Sequence, residues 1–137
     1  MGEQEKQLLL IDLCARLPYG VMCDFVYNIG HPQKLLSISL HEKYQIHLDS
    51  DKYAFGSGKS YGPSDIIVDN IKPYLRPMSS MTEEEENEYN SLNAYEKGIF
   101  PHTEEAFDWL LANHFDFRGL IPMGLALEAP KGMYKSE

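Results

Sequence analysis

A chain of 137 residues, 43% apolar and 24% charged, is long enough to bury a core without metal or disulfide support, and its composition argues against disordered and fibrous classes. The formal charge of -9, from 21 acidic against 12 basic side chains, argues against a broad phosphate-contacting surface for DNA or RNA. Two cysteines, Cys14 and Cys23, fall on different expected elements, so they read as buried apolar thiols in a reducing compartment rather than a disulfide framework.

From Gln4 to Leu17, Leu9, Leu10, Leu13 and Leu17 recur at helical spacing, with Glu5, Lys6, Asp12 and Arg16 mostly on other faces. The spacing predicts an amphipathic first helix stopped by Pro18 and Gly20. LLLI at Leu8 to Ile11 is too short for a membrane span and follows Glu3 and Glu5, so neither a span nor a secretory leader is expected. The Met-Gly start has Lys6 where myristoylation wants Ser or Thr.

In VMCDFVY, Val21, Cys23 and Phe25 alternate with Met22 and Asp24, the pattern of a half-buried strand. Asn28 to Gln33 reads as a turn. Leu36, Ile38 and Leu40 then alternate with Ser37 and Ser39, and Tyr44, Ile46 and Leu48 with Gln45 and His47. These give two further strands, with a hairpin at His41, Glu42 and Lys43. Asp49 to Pro63 is a polar, glycine-rich loop with Tyr53, Phe55 and Tyr61 spaced along it, the expected place for mobility or contact.

The stretch from Asp65 to Glu86 is where a strand-rich half gives way to a helical half. Ile66, Ile67 and Val68 favour an extended strand. Pro73 and Pro77 lack backbone donors and push Lys72 and Arg76 toward extended geometry, so IKPYLRP is expected as an ordered, non-sheet connector pinned by Tyr74 and Leu75. Thr82 with Glu85 reads as a capping box, and Glu83 to Glu86 complement the helix dipole, so a helix is predicted from Glu83 to about Asn93. Thr103 caps a second helix bearing Phe107, Leu110, Leu111 and His114 along one face and closing near Arg118 and Gly119. Leu120 to Ala129 fits either a short helix or an edge strand, and KGMYKSE reads as a frayed polar tail.

Three blocks, LCARLPYGV from Leu13, IKPYLRPMSSMTEEE from Ile71 and WLLANHFDFRGLIPMGLALEAPKGMY from Trp109, cover roughly a third of the chain. Together they resemble a family of small uncharacterised proteins from gut Bacteroidetes genomes and their phages. Between Phe25 and Ser64 the resemblance fades, so the strands and their loop correspond to the family's variable region. The resemblance implies a mobile-element or accessory context and brings no activity, cofactor or catalytic residue.

The residues themselves offer few chemical motifs. GSGKS, Gly56 to Ser60, lacks the first glycine of a phosphate-binding loop, having Tyr53 there, and Tyr61-Gly62-Pro63 follows where a helix should open. His114, Asp116 and Arg118 alternate, so an extended segment would set them on one side as a base, its orienting carboxylate and an anion-binding cation. At a helix end they would instead answer the dipole, with Asp116 pairing Arg118. His31, His41, His47, His102 and His114 share no ligand spacing with each other or with the cysteines, so neither a metal nor another cofactor is expected. Tyr53, Phe55 and Tyr61 fit a protein contact, or aromatic residues folding back on the sheet.

These readings predict one α+β domain over residues 1–137. Residues 1–70 would form the helix and a small curved antiparallel sheet or partial barrel, 71–82 the connector, 83–130 a helical pair and 131–137 the tail. The expected function is a non-enzymatic protein-binding accessory module of a phage or mobile element in the bacterial cytoplasm, contacting an unidentified protein through Tyr53, Phe55 and Tyr61. Two alternatives stand beside it: a small enzyme acting on an anionic ligand through His114, Asp116 and Arg118, and an acidic inhibitor mimicking nucleic acid. The inhibitor would need the Glu83 to Glu88 face to merge with Asp49, Asp51 and Asp65. Oligomeric state is not specified by the sequence.

Overall fold

The computed structural model describes residues 2–26, 29–39, 45–48, 68–93 and 101–134. The fold is α+β: an N-terminal helix, a four-stranded open sheet, then two helices. The chain divides between Tyr74 and Leu75 into two compact units, Met1–Tyr74 and Leu75–Glu137. The hairpin at His41 to Lys43, the loop from Asp49 to Pro63, and Ile66 and Ile67 lie outside the described residues.

In the first unit, helix α1 spans Glu3–Arg16 and tightens into a 3-10 turn at Leu17–Tyr19. Leu9 and Leu13 are fully buried, as the periodicity predicts. Asp12 and Arg16 correct it: both are fully buried, while Ile11 is exposed. Leu9, Asp12, Leu13 and Arg16 stand at i, i+3, i+4 and i+7, which is itself one helical face. Two charges enter that face because they neutralise each other one turn apart. Cys14 is likewise exposed rather than buried, and only Cys23 lies in the core.

Strand β1, Met22–Phe25, buries Cys23 and Phe25 as the alternation requires. Strand β2 spans Gln33–Ser39, starting where a turn was expected, and pairs antiparallel with β1 through Met22↔Lys34 and Cys23↔Gln33. Gln33 and Leu35 face inward, and Leu36, expected in the core, is exposed. A bulge between Leu35 and Ser37 then resets the phase, so that Ile38 pairs with buried Ile46 on β3, Gln45–Leu48. One extra residue flips every later side chain to the other face, which simple alternation does not foresee.

Val68–Asn70 forms a 3-10 turn held to α1 by Lys6 and Asp69, 3.4 Å apart. The expected non-sheet connector then proves to be strand β4, Ile71–Leu75, giving the order β3-β2-β1-β4. The Val26 amide donates to Asn70, and the register places Asp24 opposite Lys72 and Cys23 opposite Pro73. Hydrogen-bonded pairs alternate along an antiparallel ladder, so Cys23–Pro73 is a non-bonded pair and the Pro73 nitrogen points away from β1. The proline therefore removes no donor from that ladder, and its fixed φ suits an extended chain. The Tyr74 hydroxyl donates to Asp24 at 3.3 Å, fastening the strand's end.

The second unit opens on Leu75 and Arg76. The Arg76 amide donates to the His114 carbonyl and its own carbonyl accepts from the Asp116 amide, a parallel bridge to Phe115. Helix α2, Glu83–Leu92, starts from the expected capping box: the Glu85 amide donates to Thr82 Oγ1 at 3.1 Å, and the Thr82 amide to Glu85 Oε1 at 3.0 Å. Helix α3, Glu104–Ala112, is capped by Thr103 but ends earlier than expected. The Phe115 amide reaches back to Leu110 and the His114 amide to Leu111, the paired bonds that close a helix with a left-handed residue. Residues 120–124 form turns, and 120–129 resolves into a strand, β5, at Leu127–Glu128. The Ala129 amide donates to Leu75, and the supposedly frayed tail is ordered through buried Tyr134. Among the described residues, no helix is long and apolar enough to cross a membrane.

Candidate functional site

The alternating trio is used in three separate ways. His114 is the left-handed residue that closes α3, with φ of 65°, and its ring stacks on Tyr134 at 3.6 Å between centroids. Asp116 is buried, and instead of pairing Arg118 it accepts from the Leu120 amide at 2.8 Å and the Ile121 amide at 2.9 Å. The Arg118 guanidinium lies over Phe117, 4.8 Å from the ring centre, and over Phe107 at 5.5 Å. The helix-end bonds turn the backbone at His114, so the regular alternation of an extended segment never starts. The Asp116 carboxylate organises the following turn rather than the imidazole.

A left-handed conformation strains any residue with a Cβ by roughly 1–2 kcal/mol, so a histidine there needs compensation. The Tyr134 stack supplies it. His114→Ala keeps the strain and loses the stack, whereas His114→Gly loses both. Urea unfolding is expected to show His114→Gly about 1 kcal/mol more stable than His114→Ala. Equal stabilities would mean that the left-handed turn is not what the position demands.

Tyr53, Phe55 and Tyr61 lie outside the described residues, as do Asp49, Asp51 and Asp65. Among the described residues, no group of three or more His, Cys, Asp or Glu side chains is placed to hold a metal.

Two polar concentrations were hidden from sequence patterning. In the first unit, Arg16 Nε donates to Asp12 Oδ2 at 2.7 Å with both side chains fully buried. Cys23 and its cross-strand partner Gln33 share a sheet face, both in the core. Burial first, then the Asp12 and Asp24 carboxylates, push the Cys23 thiol far up, so it stays protonated and inert. This cluster is sealed from solvent and serves the fold.

The second concentration lies in the second unit. Tyr89 stacks on Trp109 at 5.7 Å, Trp109 on Phe115 at 5.6 Å, and the Arg76 guanidinium sits 4.2 Å above the Phe115 ring. Arg76 then forks onto Glu85, Nη1 to Oε2 at 2.9 Å and Nη2 to Oε1 at 2.8 Å. Glu85 and Tyr89 are one turn apart on α2, so the chain of contacts closes on the helix where it began. The hydrogen bond to Arg76, ahead of the Thr82 contacts, holds the Glu85 carboxyl below its usual range despite burial.

Arg76 forms the floor of a groove of ≈ 850 Å³. One wall comes from Pro77, Ser80 and Thr82, the other from Ala129, Pro130, Gly132 and Tyr134, with Glu128 and Lys131 on the lining. The sequence marked these residues only as breakers, caps and tail. The sole signal was an arginine set between two prolines beside an acidic capping residue. Compared with protein-family models, with curated proteins and with solved structures, the chain finds no significant match.

Proposed function

We propose that the protein is a non-enzymatic protein-binding module, and that the resemblance to the Bacteroidetes and phage family sets it in a mobile-element context in the bacterial cytoplasm. The observation that carries this reading is the groove over Arg76. Its guanidinium is neutralised by Glu85, and the rest of its lining is proline, alanine, glycine and hydroxyl side chains with exposed Glu128 and Lys131, a lining suited to holding a chain segment. The groups best suited to acid-base chemistry, His114 and Asp116, are committed to a ring stack and a turn. The aromatic loop at Tyr53, Phe55 and Tyr61 is proposed as a second contact surface, since tyrosine buries contact area at low entropic cost.

The test is affinity capture by the tagged full chain from nuclease-treated bacterial host lysate, beside the triple variant Tyr53→Ala, Phe55→Ala, Tyr61→Ala and the groove variant Ala129→Arg. One protein held in stoichiometric amount by the wild type, and reduced at least about tenfold in either variant, is the expected result. A wild type that retains nothing above a tag-only control would overturn the binding-module reading.

A further inference from the structure

The charge of the chain is unevenly distributed. Residues 75–137 contain twelve of the 21 acidic side chains and only five of the 12 basic ones, so they carry -7 of the net -9. Within that unit, exposed Glu83, Glu84 and Glu86 begin one residue beyond Thr82, which lines the groove, and exposed Glu128 lies on the lining. The groove's deepest cation, Arg76, is 6% exposed and already matched by Glu85. Lys131 is the lining cation left facing solvent. An anionic ligand would meet a neutralised floor and a repelling rim. A cationic one would meet the same neutralised floor and the exposed carboxylates of Glu83, Glu84, Glu86 and Glu128.

From this complementarity we infer that the groove docks a basic segment of a partner protein. The inference rests on the binding-module reading and names the partner's chemistry. Apolar side chains and prolines of the segment lie against Pro77, Ala129, Pro130 and Tyr134. Its lysines or arginines face Glu83, Glu84 and Glu128, which gives specificity and speeds encounter.

The test uses the full chain and two degenerate peptide pools on the same Pro, Leu and Ala framework, one with Lys and Arg and one with Asp and Glu at alternate positions, read by fluorescence anisotropy. The basic pool is expected to bind at least about tenfold more tightly than the acidic pool, and more weakly as salt rises. Two charge-reversal variants decide whether the groove is responsible. Glu83→Lys with Glu84→Lys, and Glu104→Lys with Glu105→Lys, make the same change in net charge at the same first two positions of α2 and α3. The first is expected to lose at least about tenfold and the second less than about threefold. Ala129→Arg, at a half-exposed position, fills the groove without touching α2 and is expected to match the first. Equal losses in the two helices would reduce the effect to net charge and overturn the assignment, as would equal binding of the two pools. A lysate partner still captured by a protein that ignores the basic pool would leave the binding-module reading standing and this inference refuted.

Discussion

Replacing Asp12 with leucine is expected to destabilise the protein by about 3–5 kcal/mol, because it leaves the Arg16 guanidinium in the core without its carboxylate. The pair has no solvent to fall back on: both side chains are fully buried, and their contact of 2.7 Å spans a single turn of α1. Total stability for a chain of this size is about 5–15 kcal/mol, so the change consumes a large part of it. The double variant Asp12→Leu, Arg16→Met removes both charges at similar volume and is expected to regain most of the loss or exceed wild type, since two desolvation penalties vanish together. Urea unfolding of the wild type, both single variants and the double variant closes the cycle and isolates the pair's coupling. A single variant within about 1 kcal/mol of wild type would mean that the guanidinium finds water or another partner, and that the helix is less tightly seated than its burial implies.

The same pair shows what the sequence could and could not convey. Periodicity located α1 correctly, but binary patterning assigns Asp12 and Arg16 to solvent by type, and only the i, i+4 arithmetic of opposite charges hinted at self-neutralisation. Thr82 and Glu85 were legible because a capping box is a local device of four residues. The inward face of β2 was not, because the bulge between Leu35 and Ser37 depends on pairing with β3. β4 was concealed by the rule that proline leaves sheets. That rule fails here because Pro73 falls at a non-bonded position, a matter of register that no single strand reveals. The candidate site was the least legible part. Arg76, Phe115 and Tyr134 are far apart in sequence, and the pattern that unites them exists only after α3 closes at His114.

Arg76→Met is the second substitution expected to have a large effect, about 3 kcal/mol at neutral pH, and its dependence on acidity identifies the cause. The guanidinium does three things at once: it caps the Phe115 ring, receives both Glu85 oxygens and floors the groove. Methionine keeps much of the volume and the ring contact but leaves Glu85, whose side chain is 14% exposed, without its cation. In the wild type the Glu85 carboxyl titrates below its ordinary value of 4.5. Its contribution is therefore fully present above that ordinary value and is lost as pH falls through the lowered one. In Arg76→Met the largest cause of the lowering is gone and burial opposes the Thr82 hydrogen bonds that remain, so Glu85 titrates closer to its ordinary value and less stability is lost on acidification. The stability gap between the two proteins should thus be widest near neutral pH and narrow on acidification to about pH 3.5. Glu85→Gln should lose the corresponding part of the wild-type acid dependence. Urea midpoints at neutral, mildly acidic and acidic pH measure all three proteins on one scale. Parallel profiles for wild type and Arg76→Met would place the stabilisation in the charge of the guanidinium over the Phe115 ring instead of the ion pair.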